Sequence, residues 1–254
     1  GGTYDIIRAV CLAAEEMNSP IILAHYLSTG EYSGHDWFYE TAKWMAEKVS
    51  VPVAIHLDHG DTFEHCVEML NYGFTSIMYD GSKYSLEENI RRTNEVIKVA
   101  HAIDIPVEAE IGELARLDDN GNITECSNIA DVDNVKKYLE SCHPDSLAIG
   151  IGNAHGFYKG PVDIKVDILR QCREFTDIPF VLHGCTGMDE ETVKKFIAAE
   201  NYMKERFVFD ETNTDDMEAA AELKIGNDEE KDYKRDESGE NISAVSKKIL
   251  DAYY

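Results

Sequence analysis

The chain has 254 residues, 24 basic and 49 acidic, with a net charge of −25 at neutral pH. A field of that sign repels nucleic acid and anionic membranes, so neither is an expected partner, and an anionic ligand would have to be held by local dipoles. The length suits one α/β barrel, and residues 1–254 are read as a single domain.

In chain order, apolar residues at helical spacing predict a helix over 6–16, and Asn18-Ser19-Pro20 then breaks the pattern before a buried strand over 21–24. A helix over 37–49, a strand over 52–57, a helix over 62–71 capped by Thr62 or Asp61, and a strand over 75–79 follow. The alternation continues with helix 87–102, strand 105–111, helix 132–142, strand 146–151, helix 166–175, strand 179–182, helix 190–199 and a last strand 206–209. Seven strands interleaved with helices imply parallel βαβ units. Polar residues follow nearly every strand, as expected when all the strand ends ring one mouth. The expected fold is therefore a (β/α)8 TIM barrel, not an open doubly wound sheet. Its first strand is expected upstream of Ile6, in a part missing from the chain. Residues 226–241 are too charged to bury and read as a flexible segment before a last helix over 242–253.

Six cysteines, Cys11, Cys66, Cys126, Cys142, Cys172 and Cys185, form no CxxC pair. They read as reduced thiols of a cytoplasmic protein. The start lacks a basic region followed by an apolar run, and no stretch nears the roughly eighteen apolar residues of a membrane span.

Chemistry concentrates in three segments: His56-Leu57-Asp58-His59-Gly60, Asn153-Ala154-His155-Gly156 and Leu182-His183-Gly184. Each follows an apolar, β-rich run. Three neutral imidazoles with an open fourth position are what a catalytic divalent metal needs. A lone histidine at a strand end is more often a satisfied structural residue. On a regular strand, residues 56 and 58 share one face, while His59 lies at the strand-to-loop turn. Gly150-Ile151-Gly152 also suggests a nucleotide loop, but no third glycine is correctly spaced and no helix follows directly, so a dinucleotide site is not expected.

Further segments bear on these three. They are Gly73-Phe74-Thr75-Ser76-Ile77-Met78-Tyr79-Asp80-Gly81-Ser82, Val107-Glu108-Ala109-Glu110-Ile111-Gly112 and Val181-Leu182-His183-Gly184-Cys185-Thr186-Gly187. Together with Val53 to Gly60 and Ala148 to Gly156, and in this order, they resemble the class II, metal-dependent ketose-bisphosphate aldolases over about 6–187. That group contains the fructose-bisphosphate and tagatose-bisphosphate aldolases of carbohydrate metabolism and glycolysis. The resemblance implies zinc held by His59, His155 and His183, with Glu110 as an alternative ligand or supporting carboxylate and, optionally, a monovalent cation. It implies that Asp58 is the acid/base group at the aldehyde oxygen and that His56 is a supporting partner. Gly156, Gly184 and Thr186 would cradle phosphate through backbone N–H groups and a hydroxyl.

Ser28 resembles a substrate-contacting serine, although Ser-Thr-Gly is also a common turn. Asp80 and Ser82 look like supports, and Glu108 is equally read as a buried polar partner. The implied reaction splits a ketose bisphosphate into dihydroxyacetone phosphate and an aldehyde, or joins them, through an enediolate stabilised by the metal. The implied assembly is a homodimer or homotetramer. Trp37, Phe38 and Tyr39 could line its interface, or pack on the barrel.

The chain departs from the family pattern at Cys185 and Thr186, in the loop after Gly112, and over 207–216. In the last stretch Asp210, Thr212, Asn213 and Thr214 are candidates to contact substrate, and the acidic residues there would repel phosphate. Two other readings stay open: a zinc-dependent barrel hydrolase, and a catalytically impaired homologue that only binds a sugar phosphate.

Overall fold

The computed structural model describes residues 2–116, 129–156, 158, 164–185 and 188–208. The chain divides into two compact units. The first holds the described residues up to Asp80 together with 94–108, and the second holds 81–93 and those from Ala109 onward.

In the first unit, Thr3 opens α1 (Tyr4–Glu16) by accepting the Ile6 N–H on its hydroxyl at 3.4 Å. The helix buries Ile7, Cys11 and Ala14. The unit continues through β1 (Ile21–Tyr26), α2 (Leu27–Ser33), α3 (His35–Ala46), β2 (Val53–Gly60), α4 (Phe63–Tyr72) and β3 (Ser76–Tyr79). Thr62 caps α4 as its sequence suggests, accepting the His65 N–H at 3.1 Å. Strands β1, β2 and β3 lie in that order, each pair parallel, and the start of the next strand follows β3. The first five residues of β2 are buried on both faces, as a parallel sheet covered by helices requires. The core of this unit includes Ile7, Phe38, Met45, Ile55, Leu57 and Phe74.

Helix α5 (Leu86–His101) and strand β4 (Val107–Ile111) each have one end in either unit. The second unit then contains β5 (Ala115–Arg116), α6 (Val132–Ser141), β6 (Ser146–Ile149), β7 (Ala154–His155), α7 (Val166–Cys172), β8 (Phe180–Val181) and α8 (Glu190–Val208). The end of β4, β6 and β8 lie in that order, with β6 parallel to β8, and β5 pairs with β7 in a separate parallel ladder. A buried polar chain supports this unit. Tyr138 donates to Thr93 Oγ1 at 2.9 Å, Thr93 to Asn89 Oδ1 at 3.1 Å, and Asn89 Nδ2 to the Glu110 carbonyl at 2.8 Å. Arg173 is buried over the Phe180 ring, with its guanidinium carbon 3.7 Å from the centroid and a hydrogen bond to the Ile178 carbonyl at 2.5 Å.

The expected alternation of strands and helices is therefore present, as an α/β fold with parallel strands. Several boundaries differ. β1 runs to Tyr26 and β2 to Gly60, because the parallel register pairs Ala24 with His56 and Tyr26 with Asp58 beyond the predicted ends. Residues 27–33 form a helix where no element is predicted. The strand predicted over 206–209 is overturned for 206–208, which continue α8. A short apolar run suits either state, and here it extends an established helix. Phe38 is fully buried and Tyr39 stacks on Phe74 at 6.1 Å, so these two pack inward, whereas Trp37 is exposed. Thr186, Asn213, residues 209–216, the 226–241 segment and the predicted helix over 242–253 lie outside the described residues.

The five described cysteines are free thiols. Burial pushes Cys66 and Cys172 up to about 12 and Cys142 up to about 11, so all three are inert at neutral pH. No helix among the described residues is long and apolar enough to cross a membrane.

Candidate functional site

In the first unit the site is built on an irregularity of β2. Leu57 pairs with Ile77 but Gly60 pairs with Tyr79, so β2 holds one residue more than β3 between the two pairings. This is a bulge, and it coincides with a φ of +52° at His59. His59 thus lies within the strand, not at a turn after it as predicted, and the bulge re-aims the side chains of Asp58 and His59. His59 Nδ1 lies 2.8 Å from Asp80 Oδ2, and His59 Nε2 lies 3.8 Å from Asp58 Oδ1. An ionised Asp80 accepts the Nδ1 proton, a tautomer assigned from this pairing, which makes Nε2 the lone-pair nitrogen of the ring. Tyr26 sets its ring edge-on to His59 at 6.3 Å. His56, nearly buried, lies 2.8 Å from Ser76 Oγ through Nδ1 and 3.6 Å from Glu108 Oε2 through Nε2. Glu108 is itself buried on β4.

In the second unit, β7 delivers His155 and the loop after β8 delivers His183. Their ring centroids are 6.0 Å apart with the planes at 66°. Asn153 is buried and bridges backbones, accepting the Ile151 N–H on Oδ1 at 3.0 Å and donating from Nδ2 to the His183 carbonyl at 2.9 Å. The Tyr158 hydroxyl accepts the Ala154 N–H at 2.6 Å and donates to the Ala154 carbonyl at 2.8 Å. Burial raises the phenol above its ordinary range, so it keeps the proton this pairing needs. Gly184 has a φ of +71°, and a Cβ there would lie 2.8 Å from the Ala154 carbonyl carbon and nearer still to its oxygen. Only glycine allows that approach.

Glu110 is buried on β4, and Gly156 has a φ of +122°. Ser28 is exposed in the first turn of α2 and not in the expected loop. Asn153 and Tyr158 are contributors that sequence reasoning did not single out. Asn153 sits inside the His155 motif and was readable there, whereas nothing local signals the role of Tyr158.

Comparison with known proteins adds the family. The model of the class II fructose-bisphosphate aldolases matches residues 2–245. This chain belongs to the class II fructose-bisphosphate aldolase family. It is 34% identical to a fructose-bisphosphate aldolase of Helicobacter pylori J99 over 79% of this chain and 67% of the relative. It is 37% identical to a probable fructose-bisphosphate aldolase of Bacillus subtilis 168 over 76% of this chain and 69% of the relative. The chain thus spans about two thirds of the length of these relatives. Among solved structures, the YdjI aldolase of Escherichia coli K12 matches 98% of this chain and 85% of its own, with a TM-score of 0.65 and 25% identity. A putative fructose-1,6-bisphosphate aldolase of Coccidioides immitis, at 22% identity, a TM-score of 0.68 and coverage of 97% and 85%, shares the fold. Membership of a class II aldolase family makes the chain a metal-dependent aldolase, a lyase of carbon–carbon bonds.

Proposed function

We propose that this class II aldolase cleaves or forms a phosphorylated ketose, splitting a ketose bisphosphate into dihydroxyacetone phosphate and an aldehyde, with His59, His155 and His183 as the ligands of one Zn2+. The proposal includes closure of the strands into a (β/α)8 barrel and a cytoplasmic homodimer or homotetramer. The donor chemistry fits. His155 and His183 present their rings 6.0 Å apart, and neutral imidazoles are donors that Zn2+ would take.

The observation that carries the reading is the bulge of β2, which sets the Asp58 carboxylate beside an imidazole whose other nitrogen Asp80 holds. When bound, Zn2+ acts as a Lewis acid toward charge developing on the substrate's carbonyl oxygen. In the cleavage direction Asp58 takes the proton of the hydroxyl on the carbon that becomes the aldehyde. The carbon–carbon bond breaks, and its electron pair passes to the ketone half. In synthesis Asp58 returns the same proton. Gly156, Gly184 and Thr186, with Ser28 and Asn213, are assigned to the substrate and its phosphate. Backbone N–H donors of that kind offset the repulsion from a net charge of −25.

The test combines metal analysis with retro-aldol assays on fructose and tagatose bisphosphates. Asp58→Ala is expected to keep its metal and lose about 10²–10⁴-fold in kcat, while His183→Ala loses metal and turnover together. Cleavage that survives complete removal of metal would refute the proposal. Ester hydrolysis without carbon–carbon cleavage would favour a hydrolase, and tight binding without turnover an impaired homologue.

A further inference from the structure

Asn153 is 1% exposed, and both halves of its amide are used. One end holds the Ile151 N–H, in the turn that leads into β7, and the other holds the carbonyl of His183, thirty residues away. The amide offers a donor and an acceptor at once, whereas a carboxylate of the same shape only accepts and an aliphatic side chain does neither. The same two segments meet a second time, where the Gly184 α-carbon abuts the Ala154 backbone. Tyr158 grips that backbone through both its N–H and its carbonyl. The residue before His155 and the residue after His183 are thereby fixed to one spot.

We propose that Asn153 is a positioning residue that sets the separation and angle of the His155 and His183 rings before any metal arrives, with Tyr158 and Gly184 completing the clamp. The inference rests on the metal reading of those two histidines. Its physical content is preorganisation: the entropy of ordering two loops is spent in folding, so binding does not have to meet it. A loop freed at His183 would have to be ordered by the cation itself, and affinity would fall without loss of any ligand.

The test uses the intact chain. Zn2+ affinity is measured by competition with a chromophoric chelator, and Co2+ absorption reads the ligand geometry. The proteins are wild type, Asn153→Leu, Asn153→Ser and Thr93→Val, with denaturation of each metal-free protein alongside. Thr93 is the control, since it is fully buried in the same unit, accepting from Tyr138 and donating to Asn89, so its loss removes two buried hydrogen bonds away from both histidine loops. The expected result is that both Asn153 variants bind Zn2+ about 10–100-fold more weakly with an altered Co2+ spectrum. Thr93→Val should stay within about twofold of wild type in affinity despite its lower stability. Asn153→Ser, a smaller change, keeps the test open if the leucine variant fails to fold. Asn153 variants with wild-type affinity and spectrum would overturn the inference, as would a Thr93→Val protein whose affinity falls in step with its stability. A wild-type chain that takes up no metal, or one whose binding survives His183→Ala, would defeat the metal reading and this inference with it.

Discussion

His59 is constrained through both its backbone and its ring. A φ of +52° is uncommon for a side-chain-bearing residue and persists only when the surroundings enforce it, which here means the bulge and the Asp80 carboxylate at 2.8 Å. Asp80→Ala should therefore weaken Zn2+ binding by about 10–100-fold in chelator competition while leaving all three histidines in place; an unchanged affinity would show that Asp80 does not orient the ring. His25 makes a separate prediction. It is fully buried, stacks on Phe38 at 4.0 Å and sits with Nε2 2.9 Å from His35 Nδ1. Burial, and secondarily His35, lowers its pKa from 6.5 to about 4. Between those values His25 binds more protons in the unfolded chain than in the fold, so its contribution to stability falls as pH drops from about 6.5 to about 4 and is constant above that window. On its own that contribution lowers the denaturation free energy by about 2 kcal/mol between pH 7.5 and pH 5, read from denaturant midpoints. The difference should shrink in His25→Gln, and identical midpoints in the wild type would contradict the assignment.

Elements whose signals are local were legible in the sequence. The Thr62 cap, the apolar stripe of α1 and the buried runs of β2 and β4 each depend on residues within a few positions of one another. Helix α2 was not legible, because Leu-Ser-Thr-Gly-Glu-Tyr-Ser has neither apolar period nor helix propensity. A Cβ at Gly30 would overlap the rings of His25 and His35, so tertiary packing selects glycine inside that helix against its own preference. The β8 loop gives the element-scale prediction. Gly184→Ala combines a positive φ with overlap on the Ala154 backbone, so it should lower the denaturation free energy by about 2 kcal/mol or more. A midpoint equal to wild type would mean that the approach of Gly184 to Ala154 is not a constraint.

Across the whole molecule the dominant property is charge. At −25 the folded chain repels itself, and salt screens that repulsion over a Debye length of about 10 Å at 0.1 M. Thermal unfolding of the metal-free protein should therefore shift upward by several degrees between about 0.02 and 0.5 M sodium chloride; a downward shift would indicate that surface ion pairs outweigh the net field. Under the proposed function, the same charge is offset locally by backbone N–H donors. The amino-acid sequence alone determined the α/β alternation, the three histidine motifs and their family, because periodicity and motif order are local properties of the chain. Only the tertiary structure decided the bulge that turns Asp58 and His59, the tie from Asn153 to His183 and the burial of His25 against His35. Those depend on strand register and on close approach between backbones distant in sequence, which no local pattern encodes.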